Sequence, residues 1–202
     1  KSCIFASRNE VLIFKSYNIM ARIIEQKIYS FDELNNKSQE RVIKEHGEFL
    51  GETWSYDFIY DNFIDTAKAA GFNVSDYKEI SFSGFYSRAS FVCDSLDLDV
   101  LGMDKELQKY IDSVTVARVS NIYSHERTCK VEYKLNDEIN PDETAIQDFF
   151  YSVEQKRVDL CKQLYKDLQK DYEYQFTKEC VIDSIKANGY EFYESGELYY
   201  QK

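Results

Sequence analysis

From Trp54 to Ala70 the apolar side chains Phe58, Ile59, Phe63, Ile64, Ala67 and Ala70 recur at steps of three and four. That spacing puts them on one face of a helix, and Gly71 stands where a helix C-terminus wants a residue free of a Cβ. A second amphipathic stretch precedes it. Val42, Ile43, His46, Phe49 and Leu50 share a face, with Ser38 as the predicted start. Ahead of both lies a β-prone run containing Ile23, Ile24, Ile28 and Tyr29, followed by Ser30 and Glu33 at capping-box spacing.

The pattern changes after Gly71. The string ISFSGFYSRASFVCDSLDLDV mixes aromatic, β-branched and small residues without a helical stripe, and predicts two strands turning near Ser83-Gly84 or Tyr86–Ala89. Asp104 to Ile111 fits a short helix. Val114, Val116, Arg118, Ser120 and Ile122 keep one parity, as do Cys129, Val131, Tyr133 and Leu135, so a hairpin through SHERT is expected. Pro141 opens a helix-prone run to Asn188, with Phe149, Val153, Leu160, Leu164 and Leu168 as its buried stripe. Its length predicts a break near Lys170–Phe176. Gly189 stops the run, and YEFYESGELYY reads as a hairpin turning at Ser195-Gly196.

Strands grouped apart from helices predict an α+β fold: an antiparallel sheet packed on one face by helices, with a long C-terminal helix or helix pair and a terminal hairpin. One domain is expected over residues 20–202, since one proline and seven glycines leave little for a linker. Met20-Ala21-Arg22 reads as a natural start, so residues 1–19 are expected to be an extension, with an edge strand at Val11–Phe14 as the alternative.

The formal charge of −11 is uneven: residues 1–31 carry five basic and two acidic groups. So acidic a body repels nucleic acid and anionic membranes and favours a basic protein surface, although acidity also serves solubility alone. The five cysteines (Cys3, Cys93, Cys129, Cys161, Cys180) have no metal-ligand spacing, which fits reduced thiols in a reducing compartment. Apolar stretches are too short for a transmembrane helix. No metal or cofactor is expected.

Phosphate-loop and dinucleotide motifs are absent, and His46 and His125 are the only histidines. Neither neighbours a nucleophile motif; His46 reads as packed, His125 as a turn residue. Three groups of residues stand as binding candidates. In the first, Ser83, Gly84, Tyr86 and Arg88 could present hydroxyls, a backbone donor, a stacking ring and a cation, or could form a strand bend. Trp54 and Tyr56, the second, fit interface anchors or a hydrophobic staple equally. The third is Asp94, Asp97 and Asp99 with nearby acids, a rigid carboxylate array that could imitate duplex phosphates or simply be solvated.

YSFDEL (Tyr29–Leu34) and FSGFYS (Phe82–Ser87) together resemble small accessory proteins of tailed phages, a group often given an antitoxin-like label. In that group the second string often continues with Gly, Asp and Ala, where this chain has Arg88-Ala89-Ser90. The resemblance covers about Arg22 to Val92. It implies a counter-defence protein of the host cytoplasm that inhibits a host defence or toxin protein by direct binding. The alternative is a small phage enzyme acting on a nucleotide or nucleic acid near Ser83, Arg88 and His125. Self-assembly into a homo-oligomer is compatible with either.

Overall fold

The computed structural model describes residues 26–86, 88–136 and 143–200. The expected strand at Ile23-Ile24, the segment 1–19, and the helix start at Pro141-Asp142 therefore lie outside the described residues, as does Ser87.

The chain opens with β1 (Tyr29–Ser30), then a 3-10 turn at Phe31–Glu33 in which Glu33 accepts from Ser30 N and Oγ, both at 2.8 Å. The capping box is present, on a shorter element than expected. Helix α1 spans Asn36–Glu52, and its cap is Asn35, whose side chain accepts from Ser38 N at 3.0 Å. Ser38 thus sits inside the first turn. Its hydroxyl donates instead to the Glu194 carbonyl at 2.6 Å, tying α1 to the C-terminus. Helix α2 (Asp57–Ala69) buries Phe63 and Ala67 of the predicted stripe and partly buries Ile59, Ile64 and Ala70, but Phe58 is 72% exposed and Tyr60 is buried in its stead. Gly71 follows it at φ +91°, where a Cβ would lie 2.8 Å from Leu101 Cγ.

β2 (Ile80–Phe82) and β3 (Ala89–Phe91) pair antiparallel across the predicted turn. Two one-turn helices follow, α3 (Leu98–Leu101) and α4 (Lys105–Gln108); only the second was expected. β4 (Ile111–Arg118) and β5 (Cys129–Leu135) form the longest ladder. The expected strand through Ser120 and Ile122 ends early. Val119 N and Ser120 N both donate to the Thr128 carbonyl, at 2.8 and 3.3 Å, which bends the chain out of the ladder.

α5 runs Glu143–Gln175 and breaks at Phe176, inside the predicted window; α6 (Lys178–Ala187) restarts with Thr177 as cap. β6 (Glu191–Phe192) pairs with β1, and the terminal turn at Gly196 (φ +85°) closes as predicted.

The fold is α+β. Among the described residues the strands form three two-stranded antiparallel pairs, so the expectation of a single sheet is corrected. β3 is three residues long and reaches β4 only through the Cys93–Val116 bridge before the chain turns away. Two clusters of buried side chains result. The larger packs α2, α5 and β2–β5 around Phe63, Phe72, Phe91 and Leu164. The smaller joins Phe31, Leu34, Val42, Val181, Ile185 and Phe192. Among the described residues no helix is long and apolar enough to cross a membrane.

Candidate functional site

The loop between β2 and β3 alternates its side chains. Phe82 and Phe85 turn inward onto an aromatic cluster, while Tyr86 stands fully in solvent. Trp54 is the centre of that cluster: it stacks on Phe85 with ring centroids 5.9 Å apart and meets Tyr172 edge-on at 5.1 Å. Its indole N–H donates to Asp171 Oδ2 at 2.7 Å, and Tyr165 Oη donates to the Phe85 carbonyl at 3.1 Å. Tyr56 packs against both Trp54 and Phe82. Trp54 and Tyr56 are therefore half-buried supports beneath the loop, joining the start of α2 to α5.

The β4–β5 loop lies alongside. Ser124 N donates to Ser83 Oγ at 3.0 Å, Arg118 Nη2 donates to Ser81 Oγ, and Arg88 Nη1 reaches Glu126 Oε1 at 2.9 Å. Glu126 is the hinge of this arrangement. Its side chain is 9% exposed, and its other carboxylate oxygen sits 3.1 Å from His125 Nδ1. The same Nδ1 accepts from Arg127 N at 3.1 Å, capping the short turn Glu126–Thr128. From below, the fully buried Arg157 donates to the Glu126 carbonyl at 2.6 Å. Arg157 also grips Glu154 through Nε and Nη2, and Glu154 Oε2 accepts from Val131 N. Burial is the largest single influence and opposes the Arg157 charge, yet the hydrogen bond and charge of Glu154 together with the nearby Cys161 and Cys129 hold the guanidinium above its ordinary pKa.

Arg88 adopts φ +72°, the one non-glycine residue with positive φ among those described. An L-residue held there is strained, and such strain persists only where the surroundings enforce it. The enforcing contacts are the short β3 register and the pair with Glu126.

Sequence reasoning grouped Ser83, Gly84, Tyr86 and Arg88 as one candidate and Ser83, Arg88 and His125 as another, and the structure links the two loops that carry them through Ser83–Ser124 and Arg88–Glu126. Asp94, Asp97 and Asp99 lie beyond the opposite end of β3. Asp97 caps α3 by accepting from Asp99 N and Val100 N, both at 3.0 Å, and Asp99 pairs with Lys105 and Gln108. Nearby Asp104 caps α4 and Glu106 pairs with Lys109. Much of that acidic stretch thus serves local structure.

Residues the sequence reading missed are Glu126, Arg157, Ser124 and Tyr123. For Arg157 a signal existed: it falls on the apolar stripe between Val153 and Cys161. At the outer end of the two loops Tyr86 is 107% exposed and Ile122 84%, with Val119 and Tyr123 each half exposed. These exposed apolar side chains stand on two loops whose bases are bonded to each other through Ser83–Ser124 and Arg88–Glu126. Among the described residues no group of three or more His, Cys, Asp or Glu side chains could hold a metal ion.

No family model matches the chain, and neither a curated protein nor a solved structure matches it.

Proposed function

We propose that this chain is a binding protein that neutralises a host defence or toxin protein by docking the joined β2–β3 and β4–β5 loops onto it. The observation that carries the reading is the near-complete exposure of Tyr86 and Ile122 above a locked base. Aromatic and aliphatic tips of this kind gain most of their contact energy when a partner pocket removes them from water, and a rigid base spares the entropy of ordering them. The polar groups beneath are engaged with one another: Ser83 accepts from Ser124, Arg88 holds Glu126, and His125 caps Arg127. They brace the loops.

The loop end itself carries Arg88, Arg118 and Arg127 against Glu126, so contact there is led by apolar tips. The remainder of a chain with net charge −11 steers it toward a partner whose wider surface is basic. The likeness of YSFDEL and FSGFYS to tailed-phage accessory proteins supports a counter-defence role in the host cytoplasm.

The test is co-elution of the purified chain with a panel of purified bacterial toxins and defence proteins on a sizing column, beside Tyr86→Ala, Ile122→Asp and the double variant. A complex formed by the parent chain and lost in the double variant is the expected result. A complex that survives the double variant overturns the loop end as the docking face.

A second reading rests on the convergence of Ser83, Arg88 and His125, which fits a small enzyme acting on a nucleotide or nucleic acid. Unaided turnover, abolished by Arg88→Ala and His125→Ala at unchanged melting temperature, selects it over the first.

A further inference from the structure

A cavity of about 430 Å³ opens between α1 and the C-terminal hairpin, built from elements that take no part in the loop surface. Its geometry depends on Gly196. A Cβ there would stand 3.0 Å from the Ser38 carbonyl and 3.1 Å from Val42 Cγ2, so only glycine lets the hairpin lie this close to α1. The bond from Ser38 Oγ to Glu194 O fixes that approach.

What lines the cavity is chemically one-sided. Phe49, Tyr190, Phe192 and Tyr200 contribute rings, His46 adds an imidazole, and Glu45 is the one formally charged side chain among the lining residues. The imidazole centroid lies 5.4 Å from Tyr190, edge to face, and 5.9 Å from Phe49. Burial pushes the His46 pKa down, which keeps the ring neutral near neutral pH. Arg41 engages the Glu45 carboxylate through Oε1, at 2.7 Å.

Ring faces carry negative electrostatic potential and attract cations, most strongly those too weakly hydrated to prefer water. A cavity walled by rings, edged by a carboxylate and set in an acidic chain has the makings of a site for an organic cation. We infer that the α1–hairpin cavity binds an alkylammonium group, presented either by a free quaternary amine or by a lysine-type side chain of a basic protein. The site is independent of the loop surface, and substitutions in it leave that surface untouched.

The experiment is calorimetric titration of the full chain with choline chloride, with its uncharged isostere 3,3-dimethylbutan-1-ol, and with a short peptide bearing trimethyllysine. Saturable binding of choline or of the peptide is expected, with the isostere weaker by about fivefold. Phe49→Ala and Tyr200→Ala, both exposed side chains, each lower the affinity by about fivefold. Glu45→Gln weakens the cations and leaves the isostere unchanged. Binding of choline assigns a free amine as sufficient; binding of the peptide alone assigns a partner side chain. Equal binding of choline and isostere, or no saturable binding of either cation, overturns the inference.

Discussion

Arg157, without solvent exposure, donates to the main-chain carbonyl of Glu126 at 2.6 Å, while the carboxylate of the same Glu126 holds Arg88 on the opposite loop. One residue thus receives its position from the long helix α5 and passes it to the β2–β3 loop. The exposed tips at Tyr86 and Ile122 are consequently braced from α5 through two hydrogen-bonded steps.

Removing the first step should loosen the second. Arg157→Met keeps most of the side-chain volume but leaves the Glu126 carbonyl without this donor and the Glu154 carboxylate with Val131 N but without its cation. The expected loss is about 3 kcal/mol, since hydrogen bonds to a buried charge are among the stronger ones. Urea unfolding measures it. Hydrogen exchange should show loss of protection at Ser124 and Thr128 beyond that of the ladder. An unchanged midpoint would mean that Arg157 only fills space.

Strain at Arg88 can be separated from its ion pair by two substitutions at one position. Arg88→Ala and Arg88→Gly both remove the contact with Glu126, but only glycine tolerates φ +72° without cost. The glycine variant should therefore be the more stable by about 1 kcal/mol. If alanine equals glycine, the backbone there relaxes and no strain is stored.

Ser90 lies within β3 with no exposed surface, and its Oγ has no hydrogen-bond partner among the described residues. A buried hydroxyl left unpaired costs about 1 kcal/mol or more. Ser90→Ala should accordingly leave thermal stability unchanged or raise it, against the usual trend for core substitutions. Ser90→Val should lower it, because a side chain with no exposed surface has to displace packed neighbours when it grows.

Most of the amphipathic stripes of α1 and α2 (Phe49 and Phe58 are exposed), the β2–β3 and β4–β5 pairs and the terminal hairpin were legible because each is set by local periodicity and turn chemistry. What escaped was non-local. Nothing near Arg88 in the chain announces Glu126, and the single bridge between Cys93 and Val116 joins residues from two separate hairpins. Trp54 shows the same limit from the other side. Anchor and staple readings of a tryptophan ahead of a helix differ only in whether distant rings, here Phe85 and Tyr172, are waiting for it.

Burial raises the thiol pKa of Cys93 and of Cys161 to about 12, for Cys161 against the opposing pull of Arg157. Both should stay silent to a thiol reagent at pH 8 in the folded protein and react once urea exposes them. Cys180, only partly buried, is expected to label first among Cys93, Cys129, Cys161 and Cys180. Mass mapping after brief alkylation reads the order directly, and early labelling of Cys161 would contradict its packing between Arg157 and the core.

His46 gives a pH dependence whose sign follows from its burial. Desolvation lowers its folded-state pKa below the 6.5 of an unhindered histidine, so between those two values the unfolded chain binds the proton more readily. Stability contributed by neutral His46 is therefore full above pH 6.5 and is lost as pH falls from there through the folded pKa. The groups around the ring are Ser184 Oγ at 3.0 Å from Nε2, with Phe49 and Tyr190 as ring neighbours and Glu45 lining the same cavity. Glu45 and, more weakly, the neighbouring rings and the Ser184 hydroxyl favour the protonated imidazole, but the Glu45 carboxylate is already shared with Arg41 and burial prevails. Urea midpoints of the parent chain measured from pH 7.5 down to 5 should fall more steeply than those of His46→Gln, which cannot take up the proton. Parallel curves would show that the imidazole is protonated as easily in the folded protein as outside it.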